Sequence, residues 1–251
     1  FPPIGELPYL LTISGYGFYW FRLSTDAEVP SWHEQFVSLD ERPMLVLFDG
    51  WSSLFRDRVV PWRIGIAEKT RLQFETDTLP HYIETQRWYA GKGAAIERAR
   101  ITDHVLWQQG NLSSLVALLD LDTAGESASY FMPLALAWEE RDEERVRNLA
   151  TAAVAKIRQQ ANVGVMGDAF ADEMFCRSVI AAMAAGSEVA MASGKLQFRP
   201  TAEFSRLAGG DAAALPVDRP RGASSNTIVT IGDRLILKGY RRLRVGTNPE
   251  L

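Results

Sequence analysis

The chain has 251 residues, 47% of them hydrophobic and 23% charged, and its 27 basic and 31 acidic side chains leave a net charge of −4. This is an ordinary globular composition with room for one or two domains, and its slight acidity gives no global attraction to nucleic acid. A single cysteine, Cys176, excludes an internal disulfide; the absence of a bilayer-length apolar run or a basic-then-apolar leader predicts a soluble, cytoplasmic protein with no membrane partner.

Phe1 to Leu23 ends in the aromatic run Tyr16-Gly17-Phe18-Tyr19-Trp20-Phe21, which fits a strand buried on both faces. Consecutive aromatics alternate between sheet faces, so core packing is favoured over a carbohydrate-stacking platform. Ser24 to Asp40 is polar, contains Pro30 and suits a connection between folded units. Pro43 to Phe48 is a short apolar run closed by Asp49-Gly50, and Trp51 to Phe74 mixes aromatics and arginines in no clear register. Trp51 and Trp62 are expected to be packing anchors. Phe74 to Trp88 predicts a helix with Thr78 as N-cap, Pro80 in its first turn, and Leu79, Tyr82, Ile83 and Gln86 near one face. Ala90-Gly91-Lys92-Gly93 ends it; Lys92 lacks the glycine spacing and following hydroxyl of a P-loop.

Strand character returns in Ile96 to Trp107, Leu112 to Leu121 and Tyr130 to Trp138, separated by Gly110-Asn111 and Thr123 to Ser127, which predicts an antiparallel meander. Glu139 to Arg147 reads as a solvated, helix-compatible surface, and Ala150 to Arg158 as a further strand. Asp168 is expected to cap a helix over Ala169 to Ala184, with Phe170, Met174, Phe175, Val179 and Ile180 near one face. Cys176 falls in that pattern as a small core residue. Asp168, Asp172 and Glu173 favour a helix N-terminus over a cation site, and the separated His33, His81 and His104 predict neither a metal site nor a catalytic triad. Gly209 to Pro220 reads as a connection.

Two runs rich in β-formers, Ile228 to Ile231 and Arg234 to Arg242, flank Gly232-Asp233 and predict a β-hairpin preceded by the small-residue loop Gly222 to Thr227. Period-2 alternation puts Lys238 on one face with Ile236 and Tyr240, and Leu235 and Leu237 on the other. An ammonium so placed can reach a bound phosphate, with the loop residues Ser225, Asn226 and Thr227 offering N–H and hydroxyl groups. The plainer alternative is an ordinary hairpin with a solvated lysine.

The run SSNTIVTIGDRLILKGYRRLRVGTNPEL, from Ser224 to Leu251, resembles the start of the kinase-like lobe of bacterial maltokinases, members of the aminoglycoside-phosphotransferase-like kinases. LPHYIETQRWYAGKG, from Leu79 to Gly93, resembles the opening of the maltokinase cap domain. GELPYLLTISGYGFYWFRL, from Gly5 to Leu23, looks like the last strands of a trehalose synthase, an enzyme fused ahead of maltokinase in some bacteria.

The resemblance implies an α+β fold: an antiparallel sheet with packed helices, preceded by terminal strands of a β-domain and followed by the first hairpin of a protein-kinase-like lobe. It divides the chain into a synthase end over 1–35, a connecting segment over 36–73, a cap over 74–208 and an incomplete kinase lobe over 209–251. For the parent protein it implies ATP-dependent phosphorylation of maltose to maltose 1-phosphate with Mg²⁺. Maltose, ATP and the rest of the fused chain are then the partners, and Lys238, Ser225, Asn226 and Thr227 the nucleotide-binding residues. Two positions depart from the family pattern: Ala223-Ser224 where an acidic or glutamine residue is usual, and Gly239 where a large apolar residue commonly follows the lysine. No His-x-Asp catalytic loop or Asp-Phe-Gly equivalent is found, so this chain is expected to be catalytically silent, without a metal site and without tight nucleotide binding. A non-catalytic cap serving assembly or carbohydrate binding is the competing expectation. Glu250 is a candidate partner for Lys238.

Overall fold

Glycine-marked reversals and alternating apolar positions set out the sheet. The computed structural model describes residues 42–91, 94–210, 212–219 and 226–246. Its strands are β1 (Met44–Val46), β2 (Ile96–Gln109), β3 (Leu112–Thr123), β4 (Glu126–Trp138), β5 (Ala153–Gln159), β6 (Asn162–Asp168), β7 (Glu188–Ala190), β8 (Lys195–Gln197), β9 (Val217–Asp218), β10 (Thr227–Ile231) and β11 (Leu235–Gly239). The helices are α1 (Ile64–Gln73), α2 (Leu79–Glu84), α3 (Glu143–Ala150), α4 (Glu173–Ala185) and α5 (Ala202–Ala208). The aromatic run before Leu23, the Ser24 to Asp40 connection, His33, Lys92, Ser225 and Glu250 lie outside the described residues.

The α+β class is as expected. The principal sheet has the order β1-β5-β6-β4-β3-β2, and the meander of β2, β3 and β4 is antiparallel. A wholly antiparallel sheet is corrected at one edge: β1 runs parallel to β5, with Met44 opposite Lys156. Burial accounts for this strand, because Leu45 and Leu47 are fully enclosed while Met44 and Val46 face outward. Gly164 on β6 lies so close to β4 that a Cβ there would overlap the carbonyl oxygen of Ala137.

Both faces of the sheet are covered. Leu115, Ala117, Leu119 and Leu121 of β3 share a core with Tyr82 and Ile83 of α2, whereas Val116 packs with Phe175, Cys176, Val179 and Ile180 of α4. This division follows from the period of two along a strand. Trp51 is an anchor, as expected, buried with its Nε1 donating to the Ser113 carbonyl at 2.9 Å. Trp62 is not; it is 78% exposed.

The helix predicted from Phe74 to Trp88 is longer and earlier. α1 begins at Ile64, a π-helical turn spans Phe74–Thr78, and α2 ends at Glu84. Thr78 has helical angles and makes no side-chain cap bond, so it does not begin a helix. The turn is fixed by Glu75, whose buried carboxylate accepts from Arg71 Nε at 3.0 Å, Arg98 Nε at 3.1 Å and the Ile101 amide at 3.0 Å. These bonds satisfy the charge in place and tie the helix to β2, whose ladder shifts register between Ile101 and Asp103.

The helix expected from Ala169 also divides. Asp168 caps only the 3₁₀ turn Ala169–Ala171, accepting from the Phe170 amide. Asp172 caps α4, accepting from the Met174 amide, and pairs with Arg145 at 2.6 Å. Met174 is exposed rather than on the packed face. Gly186, with φ +59°, closes the helix in the left-handed conformation that glycine adopts readily.

Candidate functional site: the β10–β11 hairpin and its buried arginine

The strands β11, β10 and β9 form a small antiparallel sheet. Its register pairs Ile228 with Lys238, Thr227 with Gly239 and Ile231 with Leu235, so the reversal takes in Arg234 as well as Gly232 and Asp233 and the second strand starts one residue later than expected. Val229 and Ile231 are fully buried and share a core with Leu235 and Leu237. On the opposite side of β11, Ile236 is 71% exposed and Lys238 is half-buried. The Lys238 ammonium lies 5.0 Å from the centroid of the Tyr240 ring, within cation–π range. The face of Lys238, Ile236 and Tyr240 is thus an apolar surface carrying one positive charge, chemistry suited to a flat ring system bearing phosphate.

Cross-strand partners share a face. Ile228 therefore sides with Lys238, and Thr227 sides with Gly239. The Thr227 hydroxyl accepts from Arg241 Nε at 2.9 Å and keeps its own hydrogen to donate. Asn226 directly precedes β10. A Cβ at Gly239 would come within 2.8 Å of the Phe170 ring, so the aromatic leaves no room for a side chain there.

Arg241 is the functional-site neighbour that sequence reasoning missed. It is 1% exposed and donates through Nη2 to Asp168 Oδ2. Its guanidinium carbon lies 4.7 Å from the centroid of Phe170 and 5.3 Å from that of Trp88. The surrounding backbone extends the sheet: the Phe131 amide donates to the Arg241 carbonyl at 2.7 Å, and the Leu243 amide to the Ser129 carbonyl at 2.8 Å. Arg242 points the other way and meets Glu126 at 2.9 Å. Near this contact Tyr82 is enclosed, and burial first, then the Asp168 carboxylate, pushes its phenol above the ordinary range. The signal for Arg241 was present in the alternation of Leu235, Leu237 and Gly239, which carries position 241 to the core side. Its place in a run of arginines suggested a solvated residue instead.

Among the described residues, no three His, Cys, Asp or Glu side chains converge as a metal site, and no helix is long and apolar enough to cross a membrane.

The family described as maltokinase N-terminal cap domain matches residues 82–172, which include β2 through β6 and the Asp168 cap. A trehalose synthase of Pimelobacter sp. (strain R48) is 79% identical over 24 residues, 10% of this chain and 4% of that protein. Trehalose synthase/amylase TreS of Mycobacterium tuberculosis, in strains CDC 1551 / Oshkosh and ATCC 25618 / H37Rv, is 68% identical over 25 residues, again 10% of this chain and 4% of the relative. The chain thus spans a small fraction of the curated relatives that it matches. Residues 82–172 thus match the maltokinase N-terminal cap domain family, in a chain that also shares a short segment with trehalose synthases.

Proposed function

We propose that this chain is the non-catalytic cap portion of a fused trehalose synthase/maltokinase, and that the cap serves as the seat on which the first strands of the kinase lobe are assembled. The observation that carries this reading is the buried Arg241–Asp168 contact, in which a residue following the hairpin is held by the last strand of the cap sheet. In the parent protein the reaction is ATP-dependent phosphorylation of maltose to maltose 1-phosphate, with Mg²⁺, in the cytoplasm. The division at 1–35, 36–73, 74–208 and 209–251 belongs to this proposal. So do Lys238, Ser225, Asn226 and Thr227 as nucleotide contacts, with Lys238 directed at a phosphate and the three polar residues supplying donors. The cation–π position of Lys238 beside Tyr240 supports its placement at the edge of an apolar surface.

The test is a phosphorylation assay with the purified chain, maltose and Mg-ATP, run beside the fused protein. The fused protein should form maltose 1-phosphate and the chain alone none. Turnover by the chain alone would overturn the non-catalytic reading, and a fused protein inactive on maltose would overturn the kinase assignment.

A further inference from the structure

We infer that Asp168 of the cap is a positioning residue for the nucleotide cleft, acting through Arg241 on the end of the hairpin that carries Lys238. This inference rests on the nucleotide-cleft reading of the hairpin and adds to it a device located in the cap. Asp168 sits at the end of β6, with Oδ1 accepting from the Phe170 amide and Oδ2 from Arg241. Arg241 in turn donates to the Thr227 hydroxyl at 2.9 Å, at the first residue of β10. Thr227 pairs with Gly239, and the adjoining pair is Ile228 with Lys238. One carboxylate therefore fixes the strand end beside Lys238 through two hydrogen bonds and one ladder pair.

The contact is built for rigidity. Asp168 is 4% exposed and Arg241 1%, so the pair is scarcely screened by solvent. Phe170 forms the base of the site twice, under the guanidinium and against the backbone of Gly239. A shift of Arg241 must move Thr227, and a shift of Phe170 must move Gly239, the residue after Lys238. Position 168 can thus change the geometry of Lys238 without touching a nucleotide.

Two variants separate positioning from simple stability. Asp168→Asn leaves the guanidinium buried against a neutral partner, and stability should fall. The double variant Asp168→Asn/Arg241→Met removes the unpaired charge while keeping an apolar stem between Trp88 and Phe170. In this chain, hydrogen exchange of the amides of β10 and β11 should accelerate in both variants. In the fused enzyme, the double variant should regain a near-normal thermal midpoint yet keep a KM for Mg-ATP raised about tenfold, a typical size for coupling between sites, with KM for maltose unchanged.

Unchanged exchange in the hairpin of both variants would overturn the inference even if the fused enzyme is a kinase. Restoration of KM for Mg-ATP together with the midpoint would overturn it as well, because a merely structural contact predicts that outcome. If the wild-type fused protein does not phosphorylate maltose, the cleft reading falls and takes the inference with it.

Discussion

Single side chains here owe their behaviour to what encloses them more than to their type. Cys176 is fully buried on α4, its Sγ 3.6 Å from the Phe170 carbonyl oxygen, and burial pushes its thiol up to about 12. Since the thiolate is the reactive form, the native chain should not react with a disulfide thiol reagent at pH 8, while the denatured chain should give one equivalent. Rapid native labelling would contradict the enclosure. His104 stacks on Phe55 at 3.9 Å with the rings 4° from parallel. Burial, and then the charges of Arg71 and Arg58, hold its pKa below the ordinary 6.5. The folded state therefore binds fewer protons than the unfolded chain in the window below 6.5. The stability linked to the neutral ring is complete above that value and declines as pH falls towards the folded pKa. Thermal midpoints measured from pH 8 to pH 5 should fall more steeply for the wild type than for His104→Phe; parallel curves would remove His104 from the account.

At the level of elements, the meander and hairpin were legible because each strand combines apolar alternation with an explicit reversal, Gly110-Asn111 in one case and Gly232-Asp233 in the other. α1 was hidden for the opposite reason. Ile64, Ile66 and Leu72 do not share one face, and only Ala67 and Thr70 of this helix are buried, so no amphipathic stripe announces it. The π-helical turn depends on Glu75 finding Arg98 and Ile101 on β2, partners 23 and 26 residues away that local patterning does not reveal. β1 is three residues long and takes its direction from β5, more than a hundred residues later. A tighter constraint lies between β4 and β6. Gly164→Ala should cost about 3 kcal/mol, at the upper end for overpacking, because the obstructing atom is a backbone oxygen that cannot turn aside without breaking the ladder. Chemical denaturation of this variant against Gly65→Ala, whose added Cβ meets no neighbour and whose backbone is not left-handed, checks the steric argument; equal losses would defeat it.

For the molecule as a whole, the legible part of the candidate site was its strand and its lysine, whereas the side chains joining it to the cap came only from the packing. Lys238 is fixed by the hairpin register, but Asp168 and Arg241 are 73 residues apart and each has a local explanation, as a cap and as one of several arginines. In the fused enzyme, Lys238→Met should reduce maltose phosphorylation by at least about a hundredfold, the loss expected when a charge directed at the transferred phosphate is removed. The apolar stem beside Tyr240 is retained, so the thermal midpoint should stay close to that of the wild type. Normal turnover in a normally folded variant would make Lys238 an ordinary surface lysine and return the hairpin to a purely architectural role.

The separation of Asp168 from Arg241 also sets an order of events during synthesis. At roughly 5–20 residues per second, the acid leaves the ribosome about 4–15 s before the arginine that closes over it. The segments of β2 to β6 have all been synthesised by then, with Trp88 and Phe170 still lacking the cation that will lie between them. The arriving hairpin thus meets a prepared socket, and translation itself dictates that the β2–β6 sheet comes first and the strands β10 and β11 are laid upon it.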